Sequence, residues 1–315
     1  MNRQASQAEA HKITSTDWLL VAIPGIIWGA SFLFIAEGLK SVAPNGVTFT
    51  RIFVGFLTLA LFPAARKAID RSAWPGIALL GVLWFAFPLS MFPFAEQHVS
   101  SALTGMLNAA TPIFVAIVAT AIARKAPSKR IVFGLLTGVT GSVIVALPSV
   151  SEGRSSTLGV VLIMLASISY GFALNVARPL QQRYGALPVI WRALGVAVIL
   201  TIPLGLPEIA KAHWKLEPLL CLLTLGAFGT GIAFVLLAIA SGRVGATRAS
   251  AAAFLMPPVS LLLGIVVRGE HVAPLSILGS AVCVAGAWMI RPRATPVAEP
   301  KPTKFVPCPE GMARN

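Results

Sequence analysis

A chain of 315 residues that is 56% hydrophobic and only 11% charged, with mean hydropathy +0.82, does not have the composition of a soluble domain. Soluble domains carry about 25% charged residues, so this chain reads as an integral membrane protein. Its net charge of +14 does not mark a nucleic-acid binder. The Lys and Arg residues fall in short stretches between apolar runs, where the topology bias of membrane proteins accounts for them.

Residues 1–16 are polar and read as a cytoplasmic N-terminal tail, without the pattern of a cleaved signal. Ten apolar segments follow, at 17–37, 45–63, 73–94, 99–123, 131–149, 157–177, 187–206, 216–240, 245–267 and 273–290. A bilayer core needs about 20 such residues in a helix, so the expected fold is an all-α integral membrane protein with ten transmembrane helices. Residues 292–315, rich in proline and charge, read as a disordered cytoplasmic tail. Cys221, Cys283 and Cys308 match neither a metal spacing nor a disulfide framework; no metal and no cofactor is expected.

Counting Lys and Arg in alternate loops puts 18 on the side of the termini and 5 on the other. That bias places both termini in the cytoplasm. Arg51 and Arg192 are left out of the count, being read as lying near the outer ends of spans two and seven.

A shift of 145 residues lays spans three to five on spans eight to ten without a gap. Gly81 meets Gly226, Pro112 meets Pro257, Gly134 meets Gly279 and Gly141 meets Gly286. In the first two spans of each half, Trp28-Gly29 corresponds to Tyr170-Gly171 and Arg51 to Arg192. The expected organisation is therefore a first five-helix repeat at 17–149, an outer linker at 150–156 and a second repeat at 157–291. Five spans per repeat is an odd number, so the second repeat must lie inverted relative to the first. Inverted repeats around a midplane site are the architecture of secondary transporters.

Trp28-Gly29-Ala30-Ser31-Phe32, the stretch from Pro44 to Arg51, Ser101-Ala102, Pro112, Pro257 and Gly269-Glu270 together carry a resemblance. In order and spacing they are similar to the ten-span EamA-type members of the drug/metabolite transporter superfamily, over about residues 17–291. Where that family often has Gly-Glu after span four, this chain has Arg124-Lys125, so Glu270 lacks a first-half counterpart. The resemblance implies a multi-pass transporter of the bacterial inner membrane that exports small organic metabolites by alternating access. The branch it looks most like exports aromatic and other neutral amino acids. Exporters of drug-like cations or nucleotide-linked metabolites are the alternative. A membrane-embedded enzyme would need a nucleophile with a base, or clustered ligands, at membrane depth; none is legible, so the chain is not expected to be an enzyme. A small-molecule substrate and the lipid bilayer are the expected partners, with no nucleic acid; a monomer would suffice.

Candidate residues follow from polarity inside apolar spans. Ser101, Thr104, Asn108 and Thr111 recur on one face of span four, where Pro112 cannot donate to the carbonyl of Asn108. Small hydroxyl residues equally serve helix packing, whereas the Asn108 amide, with up to four bonds to satisfy, points to a cavity. Asn175 in span six is of the same kind. Trp28, Trp84, Phe87, Tyr170 and Phe254 are aromatics within spans, suited to an amino-acid side chain or ammonium. Thr230 and Ser250, on spans eight and nine, complete the candidate lining. Arg51, Arg192, Pro88, Pro112, Pro257 and Glu270 are read as structural or gating, with carboxylate binding the other reading for the two arginines. The site is expected between spans one, three, four, six, eight and nine.

Overall fold

Backbone N–H and C=O groups in lipid must be satisfied within the chain, so apolar runs of this length fold as helices. The computed structural model describes residues 15–151, 156–268 and 273–290, and no strand occurs among them. Ten helical rods account for almost all of these residues: α1 (Ser15–Gly38), α2 (Pro44–Ala60), α3 (residues 74–95), α4 (residues 101–123) and α5 (Lys129–Ser151), then α6 (Thr157–Tyr184), α7 (Ala186–Ala210), α8 (Leu216–Val244), α9 (residues 246–268) and α10 (Pro274–Ile290). Among the described residues seven of them, α1, α3, α4, α6, α7, α8 and α9, are long and apolar enough to cross a bilayer. The 17 residues of α2 and of α10 reach about 26 Å at 1.5 Å per residue, a few ångströms short of a typical hydrocarbon core. Glu270 and the C-terminal tail at 292–315 lie outside the described residues, as does almost all of the N-terminal one.

α6, α7 and α8 each run four or more residues past the apolar boundaries. α6 continues past residue 177 to Tyr184, where Arg183 and the Tyr184 hydroxyl both donate to Asp70, at 3.0 and 2.9 Å. α6 and α7 are then joined by Gly185 alone, and α8 and α9 by Gly245 alone, at φ of 85° and 89°. A one-residue reversal at that φ, with ψ near 155°, is open essentially to glycine only.

Four rods are interrupted. Within α3, Trp74–Leu80 passes into a π-helical segment, Gly81–Ala86, before Phe87–Ala95. Within α8, Leu216–Thr224 passes into a π-helical segment, Leu225–Ile232, before Ala233–Val244. α4 ends its first part at Asn108 and resumes at Thr111. α9 begins as Ala246–Ala249, tightens to a 3₁₀ stretch at Ser250–Leu255 and resumes at Met256. A shift of 145 residues carries one π segment into the other and Thr111 onto Met256. Pro88, Pro112 and Pro257 are each the second residue of a resumed helix, where the missing N–H interrupts the ladder.

Close packing recurs with the same shift. α5 and α10 form the most extensive contact of the fold. A Cβ on Gly141 would lie 2.7 Å from the Gly279 carbonyl oxygen, and one on Gly279 would lie 2.8 Å from that of Gly141. Gly29 leaves room for Val259, and Gly171 for Phe114; Val259 and Phe114 are 145 residues apart. Loop contacts sort into two ends. At one, Arg192 reaches Ala65 and Lys67, Gln182 reaches Gly242, and buried Asp17 pairs with Arg243 at 3.1 Å. At the other, Glu208 accepts from Asn45 and from the Gly46 N–H, His213 N–H donates to Ser41, and Ser156 N–H to His98. These are the alternate loop sets of the charge count.

Candidate functional site

Three of the four interruptions, those of α3, α4 and α9, face one place. A cavity of about 570 Å³, counting its open mouth, is bordered by α1, α2, α3, α4, α6, α8 and α9. This is the expected set of spans with α2 added. Among its lining residues are Trp84, Asn108 and Ala253, which stand four residues before the three prolines, so their carbonyls have lost their α-helical donors.

Its walls are aromatic. Phe234 is the hub, with its ring 5.0 Å from Trp28 and 5.7 Å from Trp84, both edge to face, and 6.5 Å from Tyr170. Tyr170 stacks on Phe92 at 6.1 Å, and Phe92 packs edge to face on Phe32 at 5.7 Å. Such pairs fix ring orientation and add about 0.5–1.5 kcal/mol each beyond burial. Phe234, Phe92 and Phe32 were not picked out among the candidates, because nothing in an apolar run marks which phenylalanines turn inward.

The π segments present carbonyls to side chains of other rods. Trp28 Nε1 donates to Gly229 O at 2.8 Å, and Ser169 Oγ donates to Leu83 O at 2.7 Å. Each bond runs from the first rod of one half to the π segment of the other half. A π bulge shifts backbone bonding by one residue and frees acceptors in this way.

Polar groups line the remaining wall. Asn108 Oδ1 accepts from Thr111 at 3.0 Å and Ser167 at 3.4 Å, while its Nδ2 lies 3.4 Å from the Met256 sulfur. Ser250 also lines the cavity and back-bonds to Thr247 O. Arg51 is 3% exposed and reaches in from the middle of α2. Its Nε donates to Thr230 Oγ1 at 3.1 Å, and its buried Nη1 has no partner.

Of the sequence candidates, Trp28, Trp84, Asn108, Thr111, Tyr170, Ser250 and Arg51 therefore border one cavity. The others lie elsewhere. Phe87 is 36% exposed and faces an outward groove between α2, α3 and α7. Thr104 is buried, but its hydroxyl is bonded back to Ser100 O. Asn175 is held by Val115 O and Gly171 O between α4 and α6. Phe254 fills the space over Gly138 in a separate core with α5 and α10. Thr230 stands behind Arg51. Arg192 is corrected on two counts. It sits at the end where α7 meets the 61–67 loop, not with Arg51, and it is not Arg51's counterpart. Gly226 approaches the Arg51 carbonyl and Val54, as Gly81 approaches the Ala193 carbonyl and Val196. Both partners are shifted by 142 residues, so Ala193 stands where Arg51 does, and a one-residue offset in pairing turned Arg192 about 100° around its helix.

A profile described as the EamA-like transporter family matches residues 17–147 and 157–291. The chain belongs to that family. It is 25% identical over 286 residues to a protein of Streptantibioticus cattleyicolor described as a "Probable terminal-alkyne amino-acid exporter", covering 90% of this chain and 95% of the other. It is 27% identical over 274 residues to the uncharacterized inner membrane transporter YedA of Escherichia coli K12, covering 84% and 87%. The uncharacterized transporter YdfC of Bacillus subtilis is 26% identical, over 82% of this chain and 86% of its own length. A crystal structure at 17% identity matches with a TM-score of 0.67 over 88% of this chain and 96% of the other, a likeness of fold. The protein is accordingly a multi-pass membrane transporter.

Proposed function

We propose that this transporter exports aromatic and other neutral amino acids across a bacterial inner membrane. The observation that carries the reading is the central cavity, in which aromatic faces enclose a space edged by one amide and a few hydroxyls. Apolar walls with few polar groups suit a small ligand with an apolar side chain, and the faces of Trp28, Trp84 and Tyr170 attract an ammonium. No acidic residue is among the described residues lining the cavity, which disfavours the drug-like cations. The relative described as an amino-acid exporter is of the same substrate class.

In this reading the ten rods are spans, arranged as two inverted repeats at 17–149 and 157–291 with both termini cytoplasmic. The matched π segments, the paired restarts at Thr111 and Met256 and the reciprocal glycine contacts support it, since a two-fold relation between halves produces such pairs. The helix interruptions at Pro88, Pro112 and Pro257 free carbonyls at Trp84, Asn108 and Ala253, which line the cavity, and give the repeats places to flex. The test is counterflow in proteoliposomes preloaded with unlabelled L-phenylalanine, offered labelled phenylalanine, leucine, glucose and an organic cation. Phenylalanine and leucine are expected to exchange; exchange of the cation alone rejects the amino-acid assignment.

A further inference from the structure

Among the described residues bordering the cavity Arg51 is the one cation, and its position is built rather than incidental. α2 comes close to the π segment of α8 because glycines line both surfaces. A Cβ on Gly55 would lie 3.0 Å from Gly226 O and 3.2 Å from Gly231 N, and one on Gly226 would lie 2.5 Å from Val54. At that crossing Thr230 bonds Leu225 O, five residues back, at 3.2 Å. This is the reach of a π turn, and it leaves the Thr230 oxygen facing Arg51 Nε. One side of the guanidinium is thus fixed, while Nη1, buried, is without a partner. Neither half of this device recurs in the other repeat, where Ala193 replaces Arg51 and the shift of 145 puts Phe85 in place of Thr230.

A buried guanidinium held at one nitrogen and open at another is costly unless an anion completes it. Carboxylate is the anion whose planar geometry the guanidinium fork matches. We infer that Arg51, held in place by Thr230, binds the substrate's carboxylate and makes this a site for aromatic or apolar monocarboxylates. The inference rests on the amino-acid reading and sharpens it, because the α-carboxylate is then the recognised group and the aromatic wall receives the rest. The ionisable side chains close enough to act on Arg51 are Tyr170, also in the lining, and Glu96, half-buried at the end of α3. A resident pairing with Glu96 is the competing account of the arginine.

The experiment uses the full chain in proteoliposomes, with L-phenylalanine, 3-phenylpropionate, L-phenylalaninamide and phenethylamine as competitors of labelled phenylalanine. The two acids are expected to compete at least tenfold better than the amide and amine. Arg51→Gln should erase that preference, Arg51→Lys should keep part of it, and Glu96→Gln should leave it intact or strengthen it. Thr230→Val should weaken acid binding severalfold with Arg51 still present. The inference is overturned if the amide competes as well as the acid in the unaltered protein. It is also overturned if Arg51→Gln weakens acid and amide equally, or if Glu96→Gln loses the preference as Arg51→Gln does. Saturable binding of labelled 3-phenylpropionate to the purified protein, lost in Arg51→Gln, without phenylalanine transport rejects the amino-acid reading and keeps the arginine's role. Phenylalanine flux indifferent to Arg51→Gln does the reverse, and an unaltered protein that takes none of the four rejects both.

Discussion

Trp28 places its one N–H donor on Gly229 O and its ring against Phe234, so it has only an aromatic face to offer a ligand. The two roles separate in a Trp28→Phe variant, which keeps a ring beside Phe234 but leaves the Gly229 carbonyl without that bond. A buried bond of this kind contributes about 1 kcal/mol. The variant is therefore expected to lose a few degrees of thermal stability in detergent while phenylalanine counterflow stays within about threefold; a tenfold loss of flux at unchanged stability would show the indole itself to be recognised. Other residues show where reading the sequence stops. Periodicity put Thr104, Asn108 and Thr111 on one face, and two of the three border the cavity. Thr104 is a full turn nearer the helix start, where its hydroxyl returns to the Ser100 carbonyl, a local bond that a helical wheel does not distinguish from a free hydroxyl. Asn175 looked equivalent to Asn108 in chemistry, yet faces α4 backbone.

At the scale of elements, apolar length located every rod, because a bilayer leaves helices as the solution for such runs. The π segments and the 3₁₀ stretch were not legible, since a slip of one residue in backbone bonding leaves hydropathy unchanged. Pro88 and Pro257 are the outward signs of two of them, and no proline marks the π segment of α8. Glycine pairs were legible as matching positions, and the structure supplies what they do. On α5 and α10 they bring two backbones together: a Cβ on Gly286 would meet the Gly138 N and Cα, with the Gly134 carbonyl oxygen 2.9 Å away. Backbone cannot step aside as a flexible side chain does, so Gly286→Ala must part the two rods. Overpacking of this sort costs about 1–3 kcal/mol. Gly242, near the end of α8, has nothing within 4 Å of its Cβ position. Gly242→Ala is expected to be neutral or to stabilise by up to about 1 kcal/mol, through helix propensity. Thermal unfolding of the pair in one detergent checks both signs together; equal effects would mean that the α5–α10 seam is not a stabilising contact.

For the whole molecule, the ionisable groups at the cavity bear on how transport is driven. Proton-coupled transporters place a group that titrates near neutral pH within the membrane, usually a carboxylate or histidine. Among the described residues, Arg51 and Tyr170 are the titratable side chains of the lining, and neither residue type ordinarily changes charge between pH 5.5 and 8. A carboxylate substrate would itself neutralise the arginine, so the loaded cavity has no need of a proton to balance its charge. The expected outcome is flux down the substrate gradient whose rate changes less than twofold when the pH gradient across the liposome is dissipated at fixed substrate gradient. Sodium is the second arm of the same measurement, because carbonyls released at Trp84, Asn108 and Ala253 are of the type that coordinates it. Replacing sodium by choline on both faces should likewise leave the rate unchanged. Collapse of flux without the pH gradient would overturn proton independence and direct attention to Glu96, the half-buried carboxylate that acts on Arg51. In that case Glu96→Gln would have to abolish the pH response while leaving exchange intact, since exchange at zero net gradient needs no driving ion. Collapse without sodium would place the coupling at the interrupted helices, the part of the fold that recurs with the shift of 145 residues.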